Sequence, residues 1–289
     1  MSWRTVVVHS RCKLDLKLGY MVMRGEETKR VFIDEIAILI IESTAVSLTG
    51  CLLAALSERK VRVIFCDSKR NPFAEMSPYT GAHDSSRKIR MQMNWKDSTK
   101  ELVWTSIVRE KIAKQAELLS ECGFIRETEM LKRYIEEMEA GDSTNREGHA
   151  AKVYFNALFG LDFTRRSECT TNAALDYGYG LILSAFNREA AANGYLSQLG
   201  LHHDNAFNPY NLSSDLMEPY RILIDRTVRE CGFTEFSTAE KHRLVAVLYS
   251  TVTIGAAKQN VMNAIRLYVK SVFDALNDDT VSDIRWYRL

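Results

Sequence analysis

Residues 61–95 read VRVIFCDSKRNPFAEMSPYTGAHDSSRKIRMQMNW, and the chain changes character inside that stretch. Val61 to Cys66 is a short run rich in Val and Ile, the composition of a strand. Turn-forming residues follow it, Asp67-Ser68 and then Asn71-Pro72. From Ala74 to Arg87 no apolar period is visible, and Pro78, Gly81 and the Ser85-Ser86 pair interrupt any regular element. From Trp95 onward apolar residues recur at helical spacing. The stretch therefore separates a small domain over 1–73, a connector over 74–90 and a larger domain over 91–289.

Before the divide, Arg4 to His9, Lys13 to Leu18, Tyr20 to Met23, Arg30 to Ile33 and Ile36 to Glu42 are further short Val- and Ile-rich runs broken by Gly or charged residues. One helix is predicted between the last two strands, over Ser47 to Lys60, where Leu48, Leu52 and Leu56 keep helical spacing. After the divide the pattern predicts helices over Trp95 to Ser120, Glu127 to Glu139, Asn145 to Leu158, Ala173 to Asn193, Ser214 to Glu230, Thr238 to Tyr249 and Asn260 to Leu276. Gly123, Gly160, Gly194 and Gly232 stand where helices stop. Glu-Cys-Gly-Phe occurs at 121–124 and again at 230–233; the flanks do not match, so it reads as a recurring helix stop and not as an internal repeat. The fold class expected is α+β in two domains, a small N-terminal β-rich domain followed by a larger all-α C-terminal domain.

The 289 residues hold 38 Lys+Arg against 37 Asp+Glu, a net charge of +1, so no global field draws the chain to a polyanion. Nucleic-acid contact would have to come from local groups such as Lys69-Arg70, Arg87-Lys88 with Arg90, or Arg165-Arg166, each of which also reads as ordinary surface charge. No apolar run approaches the roughly 20 residues of a membrane span, and the start, Met-Ser-Trp-Arg-Thr-Val, lacks a secretory pattern. The expectation is a cytoplasmic chain with no membrane partner. Six scattered cysteines with no close pair are expected to be reduced, mostly buried thiols. No Walker loop, dinucleotide glycine fingerprint, His-Glu-x-x-His pair or Gly-x-Ser-x-Gly elbow is present, which turns attention away from nucleotide hydrolysis, hydride transfer, zinc proteolysis and esterase chemistry.

Two polar clusters remain. Ser143-Thr-Asn-Arg-Glu-Gly-His149 opens a predicted helix, with Ser143 or Thr144 as N-cap and Glu147 in the first turn, where a carboxylate is favoured by the helix dipole. Gly148 in that turn costs about 1 kcal/mol against Ala and signals close approach by another group. The second cluster runs from Gly200-Leu-His-His to Asp215-Leu-Met-Glu-Pro-Tyr-Arg221. In a helix opened by Ser213 or Ser214, Asp215 and Glu218 share one face and repel unless a cation or donor lies between them. A divalent metal would resolve the conflict, and His202 or His203 would complete an oxygen and nitrogen set suited to magnesium or manganese. Structural caps and surface polar groups account for the same residues. Pro219 is tolerable only near the first turn of a helix.

The segments NREGHAAKVYFNALFG, NAALDYGYGLIL and GLHH followed by SSDLMEPYR, after VIFCDSKRNP and HDSSRKIRMQMNW, closely resemble the CRISPR adaptation integrase family. The likeness covers essentially the whole chain and looks nearest to the branch that accompanies single-protein RNA-guided effectors, type II-A-like. It implies an N-terminal β domain, a C-terminal helical domain, and a site for Mg2+ or Mn2+ made by Glu147, His203 and Glu218, with Asp215 as a further catalytic acid and His202 as a variable neighbour. Glu218 stands where many relatives have Asp, and Ala82 where close relatives often have Arg. Tyr177 and Tyr179 match an aromatic pair that serves core packing or DNA contact. The implied reaction is attack of the 3′-hydroxyl of a short DNA fragment on a phosphodiester at a repeat border, in an assembly of homodimers with a dimer of a small ferredoxin-like adaptation subunit on double-stranded DNA. A catalytically silent DNA-binding scaffold and a free-standing branched-DNA repair nuclease are the competing readings.

Overall fold

The computed structural model describes residues 4–68, 70, 72–76 and 84–288. The chain divides into two compact units, Met1–His83 and Asp84–Leu289.

The first unit contains strands β1 (Arg4–Val8), β2 (Cys12–Lys17), β3 (Tyr20–Arg24), β4 (Thr28–Phe32), β5 (Ile36–Ile41), β6 (Val46–Leu48), β7 (Arg62–Cys66) and β8 (Pro72–Met76), with helix α1 (Gly50–Glu58) between β6 and β7. One sheet has the order β1-β5-β7-β8 and the other β4-β3-β2-β6. Strand β5, Ile-Ala-Ile-Leu-Ile-Ile, is buried at every position and pairs in parallel with β1 and β7, as an uninterrupted apolar run should. Strands β2 and β3 pair antiparallel through a two-residue turn at Leu18-Gly19, both with positive φ, the backbone that matches strand twist in a tight hairpin. The Thr49 hydroxyl caps α1 by accepting from the Leu52 N–H, and Leu52 and Leu56 pack with Leu14, Ile36 and Val63 in one core. Strands β6 and β8 were not expected. Residues 77–83, including Ala82 and the middle of the expected connector, lie outside the described residues, as does Lys69; on either side the expected connector holds the end of β8 and a helix over Ser85–Met93, neither of which its lack of apolar period suggested.

The second unit is mostly helical: α2 (Ser85–Met93), α3 (Asp97–Glu121), α4 (Ile125–Glu136), α5 (Arg146–Phe159), α6 (Thr170–Ala192), α7 (Asn211–Met217), α8 (Arg221–Cys231), α9 (Thr238–Ala246) and α10 (Val261–Asp278). A small sheet accompanies the helices, with β9 (Thr251–Ile254) between β10 (Ala257–Asn260) and β11 (Tyr287–Arg288). Gly123, Gly160, Gly194 and Gly232 all take positive φ past helix ends, as their positions implied. The single helix expected over Ser214 to Glu230 is two. It begins at Asn211, not at a Ser213 or Ser214 cap, and Pro219 falls in a 3-10 turn, Glu218–Tyr220, that separates α7 from α8. The break places Pro219 where its missing N–H costs no helical bond.

The cysteines are free, but only Cys66 is buried; Cys51, Cys122 and Cys169 are exposed, because each lies at a helix end or in a loop and not on a core stripe. Among the described residues no helix is long and apolar enough to cross a membrane.

Candidate active site

Helix α5 starts differently from the expected Ser143 or Thr144 cap. The two oxygens of Asp142 accept from the backbone N–H groups of Arg146 at 2.7 Å and Glu147 at 3.0 Å, and Asn145, in left-handed conformation, accepts from Gly148 N–H at 3.3 Å. A Cβ on Gly148 would stand 2.7 Å from the Asn145 Oδ1, so the close approach that this glycine signals comes from the helix's own cap. With its amides served by Asp142, the first turn leaves Glu147 free to reach across to α3. Its Oε1 accepts from the Lys111 Nζ at 2.5 Å.

Glu218 reaches the same ammonium. Its Oε2 lies 2.5 Å from Lys111 Nζ, and its Oε1 accepts from Arg221 Nε at 2.9 Å. Burial by itself would push the Glu218 carboxyl up, but Arg221 and Lys111 outweigh it and bring the group down from the ordinary 4.5 to about 2. The Lys111 ammonium is opposed by burial in the same way, and the fields of Glu218 and Glu147 reverse the balance and raise it above the ordinary lysine value. Two carboxylates from distant parts of the chain thus converge on one positive charge.

Asp215, one turn before Glu218, faces a different way. Its Oδ2 accepts from the N–H groups of Leu201 at 2.6 Å and His202 at 3.1 Å, and its Oδ1 from His203 N–H at 3.2 Å and from the His203 Nδ1. The expected repulsion between Asp215 and Glu218 does not arise, since backbone amides neutralise one and two cations the other. Gly200 makes the wrap possible: a Cβ there would lie 2.2 Å from the His203 carbonyl oxygen and 2.9 Å from Asp215 Oδ2. The root of the loop is set by Trp104 of α3, buried, which stacks on His202 with centroids 4.5 Å apart and meets His203 edge-on at 5.7 Å. The hydrogen bond to Asp215 raises the His203 pKa, burial opposes it, and the fields of Asp215, Glu218 and Glu147 add to the rise.

Beside Glu218 lies a cavity of about 190 Å³ lined by Lys111, Arg165, Tyr179, Arg221 and Asp225, among others. Tyr154 donates to Asp225 at 2.9 Å and Tyr179 donates to its other oxygen. Burial lifts the Asp225 carboxyl to about 6, against the two tyrosine hydrogen bonds and the charges of Arg221 and Arg165. Arg165 donates to Asn172 and Asp176 and, with Arg221, lies over the Tyr179 ring, at 5.3 and 4.7 Å from its centroid. Tyr177, buried, packs edge-on against Phe236.

The three acids and the imidazole singled out in the sequence therefore fall into two pairs, Glu147 with Glu218 around Lys111, and Asp215 with His203. Among the described residues no three His, Cys, Asp or Glu side chains are close enough together to hold a metal ion. Sequence reading passed over Lys111, Arg221, Trp104 and Gly200. Lys111 had a signal: it sits three and four residues after Val108 and Ile107, on the buried stripe of α3, where a lysine needs partners.

The family described as CRISPR associated protein Cas1 matches the chain over residues 6–234. The chain belongs to that family. A Cas1 relative, the CRISPR-associated endonuclease Cas1 of Neisseria meningitidis serogroup C (strain 8013), is 32% identical over 291 residues, 99% of this chain and 96% of that protein. The CRISPR-associated endonuclease Cas1 1 of Francisella tularensis subsp. novicida (strain U112) is 25% identical over 90% of this chain and 88% of its own. The Cas1 fold is shared with a casposase bound to integration product, at a TM-score of 0.77 and 16% identity, over 97% of this chain and 92% of that one. In a Cas6-RT-Cas1–Cas2 complex the likeness, TM-score 0.78 and 15% identity, covers 97% of this chain and 36% of the larger one.

Proposed function

We propose that this chain is a divalent-metal-dependent DNA endonuclease and integrase that inserts short foreign DNA fragments into a CRISPR array, with Glu147, His203 and Glu218 as ligands of Mg2+ or Mn2+. The observation that carries the reading is the convergence of Glu147 and Glu218 on a single cationic point, in a chain of the Cas1 family. The donor set suits such an ion. Two carboxylates are hard oxygen ligands, and an imidazole tied to Asp215 through Nδ1 keeps Nε2 for a ligand once it is neutral, a pattern in which the outer carboxylate orients the ring. When bound, the metal supplies Lewis-acid stabilisation of charge on the scissile phosphate and helps align the attacking 3′-hydroxyl.

The chain's own groups do the rest. Asp215 holds the 201–203 backbone and the His203 ring in one arrangement, so no ordering is needed when substrate arrives. Arg221, bonded to Oε1, orients Glu218 and, together with Lys111, favours its ionised form. Arg165 and Arg221, on the cavity wall, offer positive charge to a phosphodiester entering next to Glu218. The expected partners are double-stranded DNA, a second copy of the chain and a dimer of a small ferredoxin-like adaptation subunit, and the expected place is the cytoplasm. The Cas6-RT-Cas1–Cas2 complex that shares this fold supports the partner reading.

Glu147→Ala is the test. Strand transfer of a short duplex into a supercoiled plasmid with Mn2+ should fall by orders of magnitude, while DNA binding and assembly with the small partner persist. Survival of activity in that variant would overturn the ligand assignment. Integration that proceeds equally well without the small partner would favour a free-standing repair nuclease.

A further inference from the structure

Glu218 stands on the 3-10 turn Glu218–Tyr220, where the helical hydrogen bonding of α7 gives way to that of α8. A residue from far along the chain holds that turn. The Tyr287 hydroxyl of β11 donates to the Pro219 carbonyl at 2.9 Å, and its ring packs on the ring of Tyr220 with centroids 4.4 Å apart. Tyr287 is itself fixed. It is 1% exposed, its backbone pairs with Ile254 of β9, and the Lys114 ammonium of α3 lies 4.9 Å from its ring centroid. Lys114, buried and paired with Glu110 and Glu117, follows Lys111 by three residues, so one face of α3 carries a partner of Glu218 and a partner of Tyr287.

The hydrogen bond falls on the residue next to Glu218. The pyrrolidine ring of Pro219 locks its φ, and the bond to its carbonyl holds its ψ, so both soft torsions of that residue are set. The Glu218 side chain is set separately, by Arg221 at Oε1. Ring packing alone does not account for the hydroxyl: Tyr268 lies in the same cluster, 5.5 Å from Tyr220, and its buried hydroxyl has no partner among the described residues. We infer that Tyr287 is a positioning residue for Glu218: its hydroxyl fixes the Pro219 carbonyl, and through it the backbone from which Glu218 reaches a metal ion. A ligating carboxylate has to be held to within about 0.5 Å, and a partner that orients a ligand is worth about tenfold or more in metal affinity. The inference rests on the proposed assignment of Glu218 as a metal ligand.

The test is titration of the full chain with Mn2+ in the absence of DNA, free ion being read by electron paramagnetic resonance, on the wild type, Tyr287→Phe, Tyr268→Phe and Glu218→Gln. Tyr287→Phe keeps the ring and loses the hydrogen bond, and its dissociation constant for Mn2+ should rise about tenfold. In strand transfer the half-saturating Mn2+ concentration should rise by the same factor, with the rate at saturating Mn2+ within about twofold of the wild type. Tyr268→Phe removes a hydroxyl that holds nothing, and should leave Mn2+ binding unchanged. A Tyr287→Phe chain that melts lower yet binds Mn2+ as the wild type does, a fall in its saturated rate with no shift in half-saturating Mn2+, or an equal loss of Mn2+ binding in Tyr268→Phe would each overturn the positioning role, while loss of the site in Glu218→Gln would keep the ligand assignment standing. Mn2+ binding by Glu218→Gln as tight as by the wild type, or none by the wild type, would instead sink that assignment, and the inference with it.

Discussion

Asp215 and Glu218 stand at the two ends of one short stretch, the last turn of α7 and the 3-10 turn after it, and their side chains are 0% and 5% exposed. They neutralise a buried charge by opposite means. Asp215 is held by three backbone N–H groups and a histidine ring, all from one loop. Glu218 is held by two side-chain cations, Lys111 and Arg221, one of which it shares with Glu147. A backbone amide cannot leave without unfolding the loop, whereas a lysine ammonium on four rotatable carbons can swing away. The first region is thereby fixed by the backbone, and the second only by side chains, so the proposed metal would have to displace the ammonium and not the amides.

The largest effect should come from breaking the fixed region. Asp215→Ala strands three loop amides and frees the His203 ring, and should cost about 5 kcal/mol of stability, seen as a large fall in the chemical-denaturation midpoint. No divalent ion should restore it. Lys111→Met breaks the region held by side chains. It leaves Glu147 and Glu218 facing each other without their shared cation, and should cost about 3 kcal/mol in chelator. If Glu147 and Glu218 hold a metal as proposed, manganese should raise the melting temperature of the variant by more than it raises that of the wild type, because the ion would then replace the charge the ammonium supplied. If Asp215→Ala responds to manganese as strongly as Lys111→Met does, the contrast between the two regions is wrong.

How much of this could be read from the sequence follows the same divide. Strand β5 announced itself as six apolar residues in a row, and the helix stops announced themselves as glycines, because burial and left-handed backbone each demand a particular residue type. Strands β6 and β8 did not, because neither has a fully buried residue, and β6 is only three residues long. The small sheet around β9 was hidden by its short strands, of four residues or fewer. The α7–α8 break was half visible in Pro219, but apolar spacing resumes at Ile222 and disguised it as one helix. At the site, the acids and the histidine stood out by type. Their pairing did not, because it depends on where α3 brings Lys111 and on Gly200 letting a loop close around a carboxylate, both long-range facts. Asn145 as the α5 cap was missed because its left-handed backbone is not the extended one a Ser or Thr cap adopts.

The comparison sharpens at Asp225, a third buried acid, whose partners are hydroxyls. Glu218, lowered to about 2, holds its proton less tightly folded than unfolded, so its contribution is complete above about 4.5 and lost as pH falls toward 2. Asp225, raised from 3.8 to about 6, holds its proton more tightly folded, so stability is lost as pH rises through that interval. Tyr179→Phe removes one of the two hydroxyls that favour its ionised form. The expected cost at neutral pH is about 2 kcal/mol, the smallest of these effects. The variant should also carry the decline in stability to higher pH than the wild type, because Asp225 then ionises later. Melting temperatures across pH 4 to 8 read both outcomes. A variant less stable by the same amount at every pH would mean that Tyr179 packs against Asp225 without tuning its charge, and that hydroxyls, unlike amides and ammonium groups, are not what makes this third buried carboxylate tolerable.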